Sequence, residues 1–179
     1  MPYEPLPDLA TLSLAEIAAL NAQRKLPPVA EWNPQASGDS LMIIRADGRW
    51  FHDGGEIRRP AMVRAFAGLL RREEDGRYFL VTPLEKQSIM VEDAAFIATD
   101  VAAQDGALTF KLNTDDVIVA GPDHPLAARG TAELPAIYLA VRNGCEARIN
   151  RSTWLQLVEL ADAELTVTSQ GARFSLVPA

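Results

Sequence analysis

The chain has 179 residues, 48% of them hydrophobic, and a net charge of −7, which gives it enough apolar material for one core or for two small ones. That acidity disfavours attraction to the phosphates of nucleic acid and to anionic lipid, so neither a polynucleotide nor a membrane surface is expected as a partner. A single cysteine, Cys145, excludes an internal disulfide, and two histidines, His52 and His124, offer no zinc spacing. No stretch reaches membrane-spanning length and the N-terminus lacks a signal-peptide pattern, so the cytoplasm is the expected compartment. No cofactor is implied.

In chain order, residues 1–12 carry Pro2, Pro5 and Pro7 and read as an extended arm. Ser13 and Glu16 form a capping box for a helix with Leu14, Ile17, Ala18 and Leu20 on its apolar side, ending near Lys25. Leu26 to Ser40, with Pro27, Pro28 and Pro34, reads as an irregular connector, so residues 1–40 form an N-terminal segment.

A first unit is expected over 41–92. Leu41 to Ala46 is strand-like, Asp47-Gly48 signals a hairpin, and Arg49 to His52 is the return strand. Asp53-Gly54-Gly55 marks another turn. Pro60 suits the first position of a helix, where its missing N–H costs nothing, and Met62, Val63, Phe66, Leu69 and Leu70 form the expected apolar face. Asp75-Gly76 then closes the helix side before a strand from Tyr78 to Thr82.

The second unit, 93–179, opens with β-rich sequence that reads as meandering antiparallel strands. The strand stretches across the middle of the chain are Ser88–Val91, at the end of the first unit, and Ala95–Val101, Leu108–Leu112 and Val117–Ala120 in the second, and Ala127–Thr131 reads as a loop. Ile137–Val141 and Glu146–Ile149 flank an Asn143-Gly144 turn, a short helix holds Trp154, Leu155, Leu157 and Val158, and two strands at 165–168 and 173–177 close the chain. The stretch Ile57–Pro83 returns in degraded form at Ile149–Pro178, with Ile57 and Arg59 matched to Ile149 and Arg151. This predicts an α+β fold of two similar units, a duplicated core of antiparallel strands with one helix each.

Familiar catalytic patterns are absent: there is no G-x-S-x-G, H-E-x-x-H, P-loop or G-x-G-x-x-G. Arg58, Arg59 and Arg64 surround a helix start whose N–H groups carry partial positive charge, and Arg148, Arg151, Ser152 and Thr153 repeat part of that arrangement. Two such ends at a seam between the units would hold an anionic, nucleotide-like small molecule, with Trp50 available to stack on a base. The alternative is that these arginines pair with Glu56, Glu73, Glu74 or Glu146 at the surface. Glu85, Lys86, Glu92 and Asp93 could do acid/base work or hold a metal. The geometry of a turn and of sequential strand residues favours structural roles for them. A third reading is a protein-interaction module that takes a partner peptide along a strand edge or the proline-rich connector. An enzyme is the least favoured reading, since no nucleophile is paired with a base.

The stretches DGRWFHDGGEIRRPAMVRAFAGLLRREEDGRYFLVTPLEK, IMVEDAAF, AGPDHPL and VRNGCEARINR together resemble the DUF1285 family of uncharacterised bacterial proteins over roughly residues 40–160. The family usually has leucine where Cys145 stands, which argues further against a catalytic thiol. The resemblance implies a duplicated α+β core, a C-terminal half loosely like pleckstrin-homology folds, a ligand site between the halves and a role in signal transduction. It marks Trp50, Ile57, Arg59, Arg64, Thr82, Pro83, Glu85, Lys86, Glu92, Asp93, Arg142, Glu146 and Arg151 without giving them roles. From these the candidate ligand-binding set is Trp50, Arg59, Arg64, Glu85, Lys86, Arg142 and Arg151, with no metal and no catalytic residue assigned.

Overall fold

The structure, a computed structural model, describes residues 26–179, so the predicted N-terminal arm and the helix after Ser13 lie outside the described residues. Two compact units divide the chain after Val91, with the Ala46–Gly48 turn belonging to the second. Among the described residues no helix is long and apolar enough to cross a membrane.

The first unit begins with a single 3-10 turn, η1 (Val29–Glu31), followed by β1 (Ala36–Ile44), β2 (Trp50–His52) and β3 (Gly55–Glu56). Helix α1 (Pro60–Ala67) comes next, and then β4 (Leu70–Arg72), β5 (Tyr78–Val81) and β6 (Glu85–Val91). The six strands form one sheet in the order β3-β2-β1-β6-β5-β4. Alternation along the strands sends Ile44, Trp50, Leu70 and Leu80 into the interior, joined by Leu69 and by Val29 from η1. Arg71 ties η1 to the sheet, its guanidinium donating to the carbonyls of Trp32 at 2.7 Å and Val29 at 3.2 Å. Part of the expected connector is therefore strand: β1 begins at Ala36, because pairing with β6 overrides the weak local propensity of Ala-Ser-Gly-Asp.

Two other expectations in this unit change. Helix α1 stops at Ala67, so Leu69 and Leu70 reach the core from beyond it, while Met62 is exposed and the helix buries Ala65 and Ala67. Asp75-Gly76 joins β4 to β5 as a hairpin, with Gly76 at φ 88°, rather than closing the helix.

The second unit holds β7 (Phe96–Gln104), β8 (Ala107–Leu112), β9 (Val117–Val119), β10 (Leu126–Gly130), β11 (Pro135–Arg142) and β12 (Cys145–Ile149). They form a sheet in the order β10-β11-β12-β7-β8-β9. The stretch expected as a loop at 127–131 is largely β10, paired residue for residue with β11 from Leu126↔Leu139 to Gly130↔Pro135. After β12 come α2 (Arg151–Leu160) and the hairpin β13 (Thr166–Ser169) and β14 (Ala172–Ser175). Helix α2 lies against β7, burying Leu157 and donating from Thr153 Oγ1 to the Ala98 carbonyl at 3.3 Å. Ser169, fully buried, accepts from the Leu108 amide at 2.8 Å and donates to the Ala120 carbonyl at 2.6 Å, fastening the hairpin to the sheet. Phe96, Phe110, Leu112, Ile137 and Leu139 make the centre of this core.

The two sheets share a topology. In each, two three-stranded antiparallel meanders meet through a parallel pair made by the first and last strands, β1 with β6 and β7 with β12. This duplication is in a different register from the one matched in the sequence. Strands β1 to β6 correspond to β7 to β12, so α1 falls between the third and fourth strands of its unit whereas α2 follows the sixth. The match of Ile57–Pro83 with Ile149–Pro178 thus aligned local helix-and-strand signals that sit at different places in the two sheets.

Candidate functional site

A cleft in the first unit arises from an interruption in the parallel ladder. The β1–β6 pairs run from Ala36↔Glu85 to Asp39↔Ser88 and resume at Ile43↔Met90, so Ser40, Leu41 and Met42 stand opposite Ile89 alone. Side chains take over the broken ladder bonds. Ser40 Oγ donates to the Ser88 carbonyl at 2.7 Å and accepts from the Met42 amide at 3.1 Å, while Asp39 Oδ1 accepts from the Leu41 amide at 2.8 Å. Leu41 takes the left-handed conformation, φ 58°, unusual for a branched residue, and its carbonyl accepts from the Asp53 amide at 2.9 Å. The bulge turns Leu41 outward to 56% exposure, beside Met90 at 63%.

The resulting open cleft has a volume of about 450 Å³. Its walls are Leu41, Met42 and Ile43 of β1 and Ser88, Ile89 and Met90 of β6, with Asp39 and the Asp53-Gly54 turn completing its lining. Among the described residues neither Asp39 nor Asp53 has a cationic partner, and no Lys, Arg or His lines the cleft. Sequence reasoning missed this place. The available signal was the run Leu41-Met42-Ile43-Ile44, four apolar residues in a strand whose alternation would otherwise expose two of them unless the strand bulged.

The residues nominated from the sequence fall into both units: Trp50, Arg59, Arg64, Glu85 and Lys86 in the first, Arg142 and Arg151 in the second. Trp50 is 1% exposed, a core residue whose ring offers no face for stacking, and its indole Nε1 is buried with no hydrogen-bond partner among the described residues. Lys86 pairs with Glu73 at 3.0 Å and stands 4.5 Å from the centre of the Phe79 ring. Glu73 also accepts from Arg71 at 3.1 Å, and the Lys86 and Arg71 cations hold its carboxyl below the usual glutamate range against a smaller opposing effect of burial. Glu85 accepts from Gln87 and closes the Thr82–Glu85 turn, its amide donating to Thr82 Oγ1 at 3.1 Å. Arg64 is half-buried and engaged within the structure.

Arg59 occupies the N-cap position of α1, exposed and without an ion pair to any described residue. No side chain caps this helix; the Met62 and Val63 amides both turn to the Arg59 carbonyl at 3.1 Å. Arg151, also exposed, opens α2, but there Asn150 Oδ1 accepts from the Thr153 amide at 2.9 Å, so that helix satisfies its own start. Arg142 pairs with Asp116 at 3.1 Å over the face of Phe96, and Asp116 also accepts from the buried Thr114 hydroxyl.

The acids considered for catalysis are occupied too. Glu92 accepts from the Ala46 amide at 2.9 Å. Asp93 accepts from the Tyr138 hydroxyl at 2.5 Å and from Arg148 at 3.1 Å, and Tyr138 lies beneath Arg129, which bonds both oxygens of Glu146. Burial and the Asp93 carboxylate push the Tyr138 phenol above its ordinary range. Two arginines and two carboxylates balance around one ring, an arrangement that locks β10, β11 and β12 together. Among the described residues no three His, Cys, Asp or Glu side chains gather as metal ligands, His124 bonds the Ala140 carbonyl, and Cys145 is buried.

Comparison with known proteins places these features in context. The family described as "Domain of unknown function (DUF1285), N-terminal domain" matches residues 27–94, and "Protein of unknown function (DUF1285), C-terminal domain" matches residues 95–176. A crystal structure of a DUF1285 family protein from Silicibacter pomeroyi DSS-3 is similar at 40% identity and TM-score 0.78, covering 93% of this chain and 96% of that one. Another, from Shewanella baltica OS155, is similar at 26% identity and TM-score 0.55, covering 67% of this chain and 91% of that one. No curated protein matches.

Proposed function

The chain belongs to the DUF1285 family, and on that premise we propose that it is a small-molecule-binding protein whose site is the cleft at the β1 bulge of the first unit. The observation that carries this reading is the cleft itself, about 450 Å³ with mainly apolar walls and two carboxylates in its lining. Its size falls in the range of small-ligand pockets, and bulges recur beside functional sites because they re-aim side chains. The strained Leu41 supports the same reading, since a branched residue held at positive φ costs of the order of 1 kcal/mol and such strain clusters at functional sites. A fragment screen on ¹⁵N-labelled protein tests it. Saturable shifts confined to the amides of Leu41, Asp53 and Met90 are expected, and a screen in which no fragment moves these amides would remove the proposal.

A second reading is favoured by the start of α1. An uncapped helix N-terminus with Arg59 exposed at its N-cap position suits an anion such as a nucleotide phosphate. Titration with inorganic phosphate and with AMP should shift the amides of Arg59 and Ala61, and Arg59→Ala should abolish the response. Unchanged spectra at millimolar anion would end this reading. A part in signal transduction would follow only if such a ligand alters capture of a protein partner, which pull-downs with and without the ligand would decide.

A further inference from the structure

We propose that the cleft selects a cationic amphiphile: a primary ammonium group seated between Asp39 and Asp53, with an alkyl or aryl body against Leu41, Ile43 and Met90. This rests on the cleft being a binding site, and it assigns the ligand a charge opposite to the one the arginines of the sequence suggested.

Charge comes first. An anion entering the cleft would meet two carboxylates and no lining cation, on a protein whose net charge is already −7. A cation would relieve that repulsion. One oxygen of Asp39 is committed to the Leu41 amide, which fixes the carboxylate in place and leaves its other oxygen as an acceptor. Asp53 is held through its backbone, the amide bonded to the Leu41 carbonyl, so its side chain remains available. An ammonium group carries three donors and can satisfy both carboxylates at once.

The apolar walls select against a bare ion. Leu41 and Met90 are exposed at the cleft, where a hydrocarbon body would cover them and gain the burial that an inorganic cation or a short polar amine cannot. The flexible thioether of Met90 can adjust to different chain shapes, so the body is selected for apolarity more than for outline.

The test uses the full chain and four probes at equal ionic strength: hexylammonium chloride, hexan-1-ol, sodium hexanoate and calcium chloride. Binding is read from the amides of Leu41, Asp53 and Met90. Hexylammonium should bind saturably and about fivefold more tightly than hexan-1-ol, the ratio expected for one partly exposed ion pair. Hexanoate and calcium should leave these amides unmoved. Asp53→Asn should narrow the margin of hexylammonium over the alcohol, replacing both Asp39 and Asp53 with Asn should abolish it, and raising the salt to 0.5 M should shrink it through screening. Asp39→Asn serves as a second variant, expected to act in the same direction. Equal binding of the amine and the alcohol would overturn the charge assignment and leave the cleft reading standing. Calcium acting as strongly as the amine would also overturn it. Silence from all four probes would sink both.

Discussion

Replacing Ser169 with alanine removes one oxygen and leaves two buried backbone groups without partners. In the second unit that hydroxyl accepts from Leu108 at 2.8 Å and donates to the Ala120 carbonyl at 2.6 Å, and Ser169, Leu108 and Ala120 are all buried. An unsatisfied buried polar group costs roughly 1–3 kcal/mol, so the pair should amount to about 3 kcal/mol once the smaller desolvation of alanine is allowed for. Urea denaturation at neutral pH should show this as a shifted midpoint with an unchanged slope. Because Leu108 and Ser169 lie in the second of two compact units, the amide of Leu108 supplies the local reading: its hydrogen-exchange protection should fall far more than that of first-unit amides such as Leu80. A change below about 0.5 kcal/mol, with Leu108 still protected, would refute the bridging role of Ser169.

Other outcomes follow from single contacts. Gly48 has φ 89°, and an added Cβ would lie 2.7 Å from Ile97 Cγ1, so Gly48→Ala should destabilise by about 2 kcal/mol in thermal denaturation. Glu73 has a lowered carboxyl pKa, so its contribution is present above the ordinary glutamate range and is lost as pH falls through the depressed native value; Glu73→Gln should flatten the acid limb of the stability profile. Tyr138 has the opposite sense: its raised phenol pKa favours folding below the ordinary tyrosine value and that contribution fades as pH rises through the native one. Ultraviolet titration should therefore show one phenol ionising late, and Tyr138→Phe should remove that component.

The turns were legible because they rest on local chemistry. Asp53-Gly54 and Asn143-Gly144 take positive φ at both residues and Asp47-Gly48 at its glycine, values that such residues supply readily. Pro60 likewise marked the helix start. Pairing was not legible. Strands β1 and β6 are far apart in sequence and neither announces a parallel neighbour, so the start of β1 at Ala36 depended on a partner outside any local window, while 126–130 pairs with the adjacent β11 although Ala127-Ala128-Arg129-Gly130 has weak strand propensity of its own. The candidate site shows the same division. Arginine-rich helix starts stand out in a sequence, yet Lys86 and Arg142 are committed to Glu73 and Asp116 and Trp50 lies in the core. The cleft depends on a register interruption between two distant strands, which leaves only the overlong apolar run at Leu41–Ile44 as its trace.

The parallel pair at the centre of each sheet also bears on the order of folding. A strand pair made from the two ends of a unit has the longest loop to close, so the middle of the first sheet cannot form until Glu85–Val91 has left the ribosome. Until then the inner edge of β1, with its unpaired amides and carbonyls, is open to pairing with other nascent chains. A chain halted near Pro83 would hold both strands of the β4–β5 hairpin and still lack the neighbour that covers β1. The unit's last strand is thus its closing step in time as well as in space, and slow translation just before it would lengthen the period of exposure.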